Sequence, residues 1–93
     1  MKANTVLELT VNNHPGVIMH VTSLFARRVF NVDGILCMPT RDESRSRIWL
    51  RVKEDARLEQ MSRQLEKLED VLSVRRHEAS HEVFERIEEF FAA

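Results

Sequence analysis

Across Asn12-Asn13-His14-Pro15-Gly16 the hydrophobic repeat of the chain changes from two to between three and four. Before it, Leu7, Leu9 and Val11 alternate with Glu8 and Thr10, the pattern of a half-buried strand. After it, Val17, Val21 and Leu24 follow at helical steps, with Ile18, Phe25 and Val29 beside them. A strand that turns sharply into a helix commits the chain to layers, because both elements must bury their apolar faces against one another. Pro15 suits the first helical position, where its missing N–H costs nothing. Gly16 leaves the backbone bare at the helix mouth. The first N–H groups there have no partner inside the helix, and the helix dipole favours negative charge. A carboxylate could sit against Gly16, Val17 and Ile18, with the side-chain amides of Asn13 and Asn31 at the two ends of the segment. That combination fits a small zwitterion such as a free amino acid; the plainer alternative is a structural turn with no ligand. From Gly16 to Phe30 there are more apolar residues than the stripe of about 100° that a surface helix buries. The excess predicts packing on a sheet with one face and on another chain with the flank. Asn31 tolerates left-handed geometry and is expected to end the helix.

The remaining elements follow the same two periods. Val32 to Met38 reads as a second strand, interrupted by Gly34 and ended by Pro39, which cannot donate to a ladder and is expected to put this strand end at an edge or leaving the sheet. The polar run Thr40 to Arg45 is a hairpin connection. Ser46 to Lys53 is a third strand, with Ile48, Leu50 and Val52 inward and Arg47, Trp49 and Arg51 outward. Trp49 is expected to cover apolar surface together with the stems of its arginine neighbours, the alternative being contact with a partner. Glu54-Asp55 opens a second helix, acids first. Its stripe is Leu58, Met61, Leu65 and Leu68. Val71 to Arg75 is a last strand, with Leu72 and Val74 expected on one face. Strand, helix, strand, strand, helix, strand is the split βαβ or ferredoxin-like order, an α+β fold with both helices on one face of an antiparallel sheet. Residues 1–78 complete it. Residues 79–93 are a tail in which Val83, Phe84, Ile87, Phe90 and Phe91 share one helical face, capped by Ser80. Such a face needs cover, from the open side of the sheet, a sister chain or another protein.

Composition excludes several classes of function. A chain of 93 residues supports one small core. Its formal charge of −1 does not favour nucleic acid, and Arg27-Arg28 and Arg75-Arg76 are isolated pairs rather than a basic stripe. No apolar run approaches the roughly 20 residues of a membrane span, and Met1 to Thr5 lack the apolar core of a signal peptide. One cysteine, Cys37, fits a reducing cytoplasm and is expected to be a buried core thiol rather than a nucleophile. His77 and His81 have a metal-like spacing but straddle a strand end and a helix start. Two glycines cannot build a phosphate-cradling loop, so phosphate transfer on this fold is disfavoured. Among candidate aromatics on the central strands only Trp49 is present, so single-stranded RNA is disfavoured too. No catalytic residue and no metal ligand emerges.

The run Leu9 to Val17, followed by Val21 to Val32 and later by Leu58 to Met61 and Leu65 to Val71, resembles the small regulatory subunits of acetohydroxyacid synthase (acetolactate synthase). The resemblance spans about residues 5 to 78 and implies an ACT domain, with the ferredoxin-like fold already derived. The length and tail resemble the short form paired with the valine-sensitive isozyme; longer members carry a second C-terminal domain. It implies a cytoplasmic, non-catalytic homodimer that activates a catalytic large subunit and makes it sensitive to valine, in branched-chain amino acid biosynthesis. That partner, and not this chain, is expected to carry thiamine diphosphate, Mg and FAD. The implied effector site is Asn13, Gly16, Val17 and Ile18 of one chain facing Asn31 of the other. Val29 stands where many members have glycine, and as a β-branched residue it resists the left-handed backbone. The second reading is a free-standing amino-acid-sensing ACT protein that regulates another enzyme or a transcription factor.

Overall fold

The computed structural model describes residues 4–28, 30–53, 55–77 and 82–91, the side chains of 4, 82 and 88–91 excepted. Strand β1 (Asn4–Asn12) is central, and pairs antiparallel with β3 (Arg45–Lys53) on one side and β4 (Val71–His77) on the other. Strand β2 (Val32–Pro39) adds to the far side of β3, so the sheet order is β2-β3-β1-β4. Helices α1 (Val17–Arg27) and α2 (Leu58–Glu66) complete the expected order, and α3 (Glu82–Phe91) follows it.

Alternation decides the faces. Leu7 lies opposite Leu50 and Leu9 opposite Ile48, and all four are fully buried with Val52. Val21, Phe25, Leu58, Met61 and Leu65 close over them from the two helices, in one cluster. Each fully buried side chain of this kind contributes roughly 1.5–3 kcal/mol, and a change such as Leu50→Ala would cost roughly 2–5 kcal/mol because β1 and β3 cannot collapse onto the space.

The opposite face of the sheet is the one that composition left open. Glu8 lies at its centre, only 7% exposed. The ring Nε2 of His77 is 2.8 Å from one of its carboxylate oxygens, and Arg47 is 3.8 Å from the other. Trp49 is half-buried and stacks on His77 with ring centroids 5.7 Å apart. Helix α3 also lies on this face. Phe84 is buried against Gly34, where an added Cβ would stand 3.0 Å from a ring carbon, and the Arg51 guanidinium lies 5.5 Å from the ring centroid. The tail thus packs on its own sheet.

Several expectations are corrected. Helix α1 ends at Arg27, not at Asn31: the amides of Arg28 and Phe30 both return to the Phe25 carbonyl, at 3.2 and 2.9 Å. Phe30 then packs edge-on to Phe25 with centroids 5.8 Å apart, which draws the chain inward before Asn31. Val29 lies outside the described residues. Pro15 belongs to the turn, and Gly16 is the residue that precedes the helix. Helix α2 starts at Leu58; Asp55 stays outside it and accepts from the Arg57 amide at 2.8 Å. Leu72 does not share the face of Val74. The register of β1 with β4 passes from Thr10↔Ser73 to Val11↔Val71, so Leu72 is the extra residue of a bulge and is 46% exposed, while Val71 enters the core. Cys37 is exposed. It faces the helix side, opposite buried Ile48, but on the edge strand of the sheet. His81 lies outside the described residues.

Candidate functional site

The turn between β1 and α1 is held from two sides. On one side the Asn12 amide donates to the Asp70 carbonyl at 2.9 Å and its side chain to the Asp70 carboxylate at 3.3 Å. On the other, the Asn13 amide donates to Ser44 at 3.2 Å and its Nδ2 to the Glu43 carbonyl at 2.8 Å. The loop that receives Asn13 is itself latched. One oxygen of Asp42 accepts from the Thr40 hydroxyl, the Ser44 hydroxyl and the Ser44 amide, at 2.8, 2.8 and 3.1 Å. The Ser44 amide, followed by the two hydroxyls, holds the Asp42 carboxyl below its ordinary value. Glu43 takes the left-handed φ of 60° that this tight loop demands.

Gly16 has φ 89°, and a Cβ built on it would meet nothing within 4 Å. Glycine is therefore required by the backbone, not by crowding, and the space in front of the helix mouth is open. The Val17 amide is engaged by the His14 carbonyl at 3.3 Å, and the Val17 side chain belongs to the core. The amides of Gly16 and Ile18 are groups that a helix of this kind leaves without an internal partner. The mouth thus offers donors for an anion.

At the other end of α1, Asn31 is exposed and its Nδ2 donates to Asp33 at 2.9 Å. Asp33 is paired in turn with Lys53, at 3.3 Å. Arg57 fixes the backbone that leads there: its fork binds the Asp55 carboxylate at 3.1 Å through two nitrogens, its Nη1 donates to the Arg28 carbonyl at 2.9 Å, and its guanidinium covers Phe30 at 5.0 Å. Both asparagines therefore commit their NH2 groups to their own chain and leave their Oδ1 atoms, which are acceptors.

Donors at the helix mouth and acceptors on two asparagines match a carboxylate and an ammonium. One chain does not bring them together. Eleven helical residues separate the ends by roughly 16 Å, further than one amino acid reaches. Within one chain the two groups therefore stay apart. Sequence alone missed the groups that orient them: Glu43, Ser44 and Asp70 around the turn, Asp33, Lys53 and Arg57 around Asn31. Asp33 is only two residues from Asn31, a local spacing that could have found it; for the others spacing gives no signal, since their partners lie up to 58 residues away. Among the described residues no group of three His, Cys, Asp or Glu side chains is arranged to hold a metal ion, and no helix is long and apolar enough to cross a membrane.

The pattern of the AHAS small subunit-like ACT domain matches residues 7–73. The chain belongs to that family. This ACT domain is 57% identical over 88 residues to the acetolactate synthase isozyme 1 small subunit of Escherichia coli, across 95% of this chain and 92% of that protein. It is 37% identical over 78 residues to the acetolactate synthase small subunit of Mycobacterium bovis, of which it spans 46%. Among solved structures, the acetolactate synthase small subunit of Thermotoga maritima superposes with a TM-score of 0.70 at 35% identity, over 78% of this chain and 46% of that one. The chain therefore covers nearly all of one small subunit and just under half of the longer ones. Membership makes it a regulatory small-subunit domain, not a catalytic one, and favours that reading over a free-standing sensor.

Proposed function

We propose that this chain is the regulatory subunit of an acetolactate synthase, that it binds valine across a homodimer, and that it both activates the catalytic large subunit and transmits feedback inhibition. The observation that carries the reading is the split site: donors at the mouth of α1 and acceptors at its far end, beside an uncovered sheet edge. On the edge strand β2, Ile35 on the helix face is 42% exposed. On α1, Met19 is 66% exposed. Pairing of two β2 edges would continue the sheet. It would also set the two α1 helices side by side, so that Asn13, Gly16 and Ile18 of one copy face Asn31 of the other. The valine carboxylate would meet the helix mouth and the ammonium the asparagine oxygens, with the isopropyl group on the apolar flank. The large subunit would bring thiamine diphosphate, Mg and FAD, and the assembly would work in the cytoplasm.

Calorimetric titration of the purified chain with valine, then with the large subunit, tests this directly. Valine binding at one site per half-interface, lost in Gly16→Asp with activation of the large subunit retained, is the expected result. Wild-type valine inhibition in Gly16→Asp, Asn13→Ala and Asn31→Ala alike would remove the site.

A further inference from the structure

We propose that Asp33 sets Asn31 to recognise an amine, and so makes the site select an amino acid over the 2-oxo acid with the same side chain; this rests on the effector site proposed above. An unrestrained carboxamide can turn either end outward, the oxygen that accepts or the NH2 that donates. At Asn31 that choice is removed. Its Nδ2 donates to Oδ1 of Asp33 at 2.9 Å, while Oδ2 of Asp33 lies 3.3 Å from the Lys53 ammonium. An ionised carboxylate only accepts. Both of its oxygens face donors, so Asn31 must offer its NH2 inward and its Oδ1 outward.

The backbone explains why Asp33 is there. The ladder between β2 and β3 passes from Val32↔Val52 to Gly34↔Arg51, which leaves Asp33 as the extra residue of a bulge. A bulge re-aims a side chain, and here the side chain is only 21% exposed, turned between Asn31 and the end of β3. An ammonium carries donors only, and the 2-oxo group carries acceptors only. The outward Oδ1 bonds the first and opposes the lone pairs of the second. The Lys53 ammonium at 3.3 Å offsets the charge of Asp33, so the hydrogen-bond direction carries the selection.

Three variants separate orientation from packing. D33E keeps two acceptor oxygens. D33A leaves Asn31 unrestrained. D33N supplies a single oxygen, which the charged Lys53 takes as the stronger donor; the new NH2 then faces Asn31 and turns it round, with Nδ2 outward. Calorimetry on the full chain with valine and with 3-methyl-2-oxobutanoate reads the ratio of the two affinities, and thermal unfolding is recorded on the same samples. The wild type and D33E should prefer valine. D33N should lose valine affinity by about tenfold or more and narrow or reverse the preference, with D33A between them. A merely structural Asp33 would shift the unfolding midpoint and weaken both ligands together, with the ratio unchanged. An unchanged ratio in D33N and D33A overturns the proposal for Asp33 and leaves the site standing. If D33N does not fold, the D33A ratio decides alone. A wild-type chain that binds no valine overturns both.

Discussion

Removing the Phe84 ring should release α3 from the sheet without unfolding the domain. Phe84 is 7% exposed, and its burial is worth roughly 1.5–3 kcal/mol. The Arg51 guanidinium, 5.5 Å from the ring centroid, adds about 0.5–1 kcal/mol. Phe84→Ala should therefore cost roughly 2–4 kcal/mol of docking. A helix of ten residues is not stable in water by itself, so this loss is enough to undock it. The damage is bounded, because the cluster of the two-helix core does not contain Phe84. Once α3 is free, further loss of its contacts cannot lower the stability of the remainder. Gly34→Ala tests the same contact from the other side. Its Cβ would stand 3.0 and 3.3 Å from two ring carbons, so the ring must give by a few tenths of an ångström while nothing is deleted. Hydrogen exchange of the amides in 82–91 should rise towards unprotected rates in Phe84→Ala and change far less in Gly34→Ala. The β1 and β3 amides should stay protected, with a drop of only a few degrees in the unfolding midpoint. Wild-type protection of 82–91 in Phe84→Ala would refute the reasoning, and so would global unfolding. Truncation after Ala79 extends the test to function. Loss of the dimer would make the tail structural; a folded, valine-binding dimer that no longer activates the large subunit would make it a docking element.

Asn13→Ala and Asn31→Ala should each weaken valine by roughly 1.5–3 kcal/mol, about 10–100-fold, measured by calorimetry. Asn13→Ala should additionally loosen the 40–45 loop, visible as faster exchange at Ser44, because it removes the 2.8 Å bond to Glu43. Ile35→Lys puts a charge on the exposed edge of β2; light scattering should show a monomer, and a dimer that persists at micromolar concentration would argue for a different interface. Asp42 has a depressed folded-state carboxyl, so its stabilisation of the loop is present above the unfolded-state value and is lost as pH falls through the folded one. Its NMR titration midpoint should lie below 3.8. The stability difference between wild type and Asp42→Ala should be level at neutral pH and shrink below about pH 4.

What the chain declares locally, it declares well. Alternation in Leu7-Glu8-Leu9 and in Ile48-Trp49-Leu50 assigns each residue to a face because a strand has a period of two whatever lies beside it. The stripe Leu58, Met61, Leu65 does the same for α2, and the period change at Asn12 to Gly16 locates the mouth of α1. Matters that depend on a neighbour were not legible. Cys37 has the setting of a buried thiol until the strand order makes β2 an edge. Leu72 pairs with Val74 by period, and only the bulge against β1 exchanges it for Val71. The end of α1 is set by Phe30 turning in to meet Phe25 and by Arg57 capping Arg28, both tertiary contacts. The same holds for the candidate site. Asn13, Gly16 and Asn31 could be named from residue type and turn chemistry. Which atom each asparagine presents is decided by Glu43 and Asp33, because a carboxamide has two chemically opposite ends and only a partner fixed in space can choose between them.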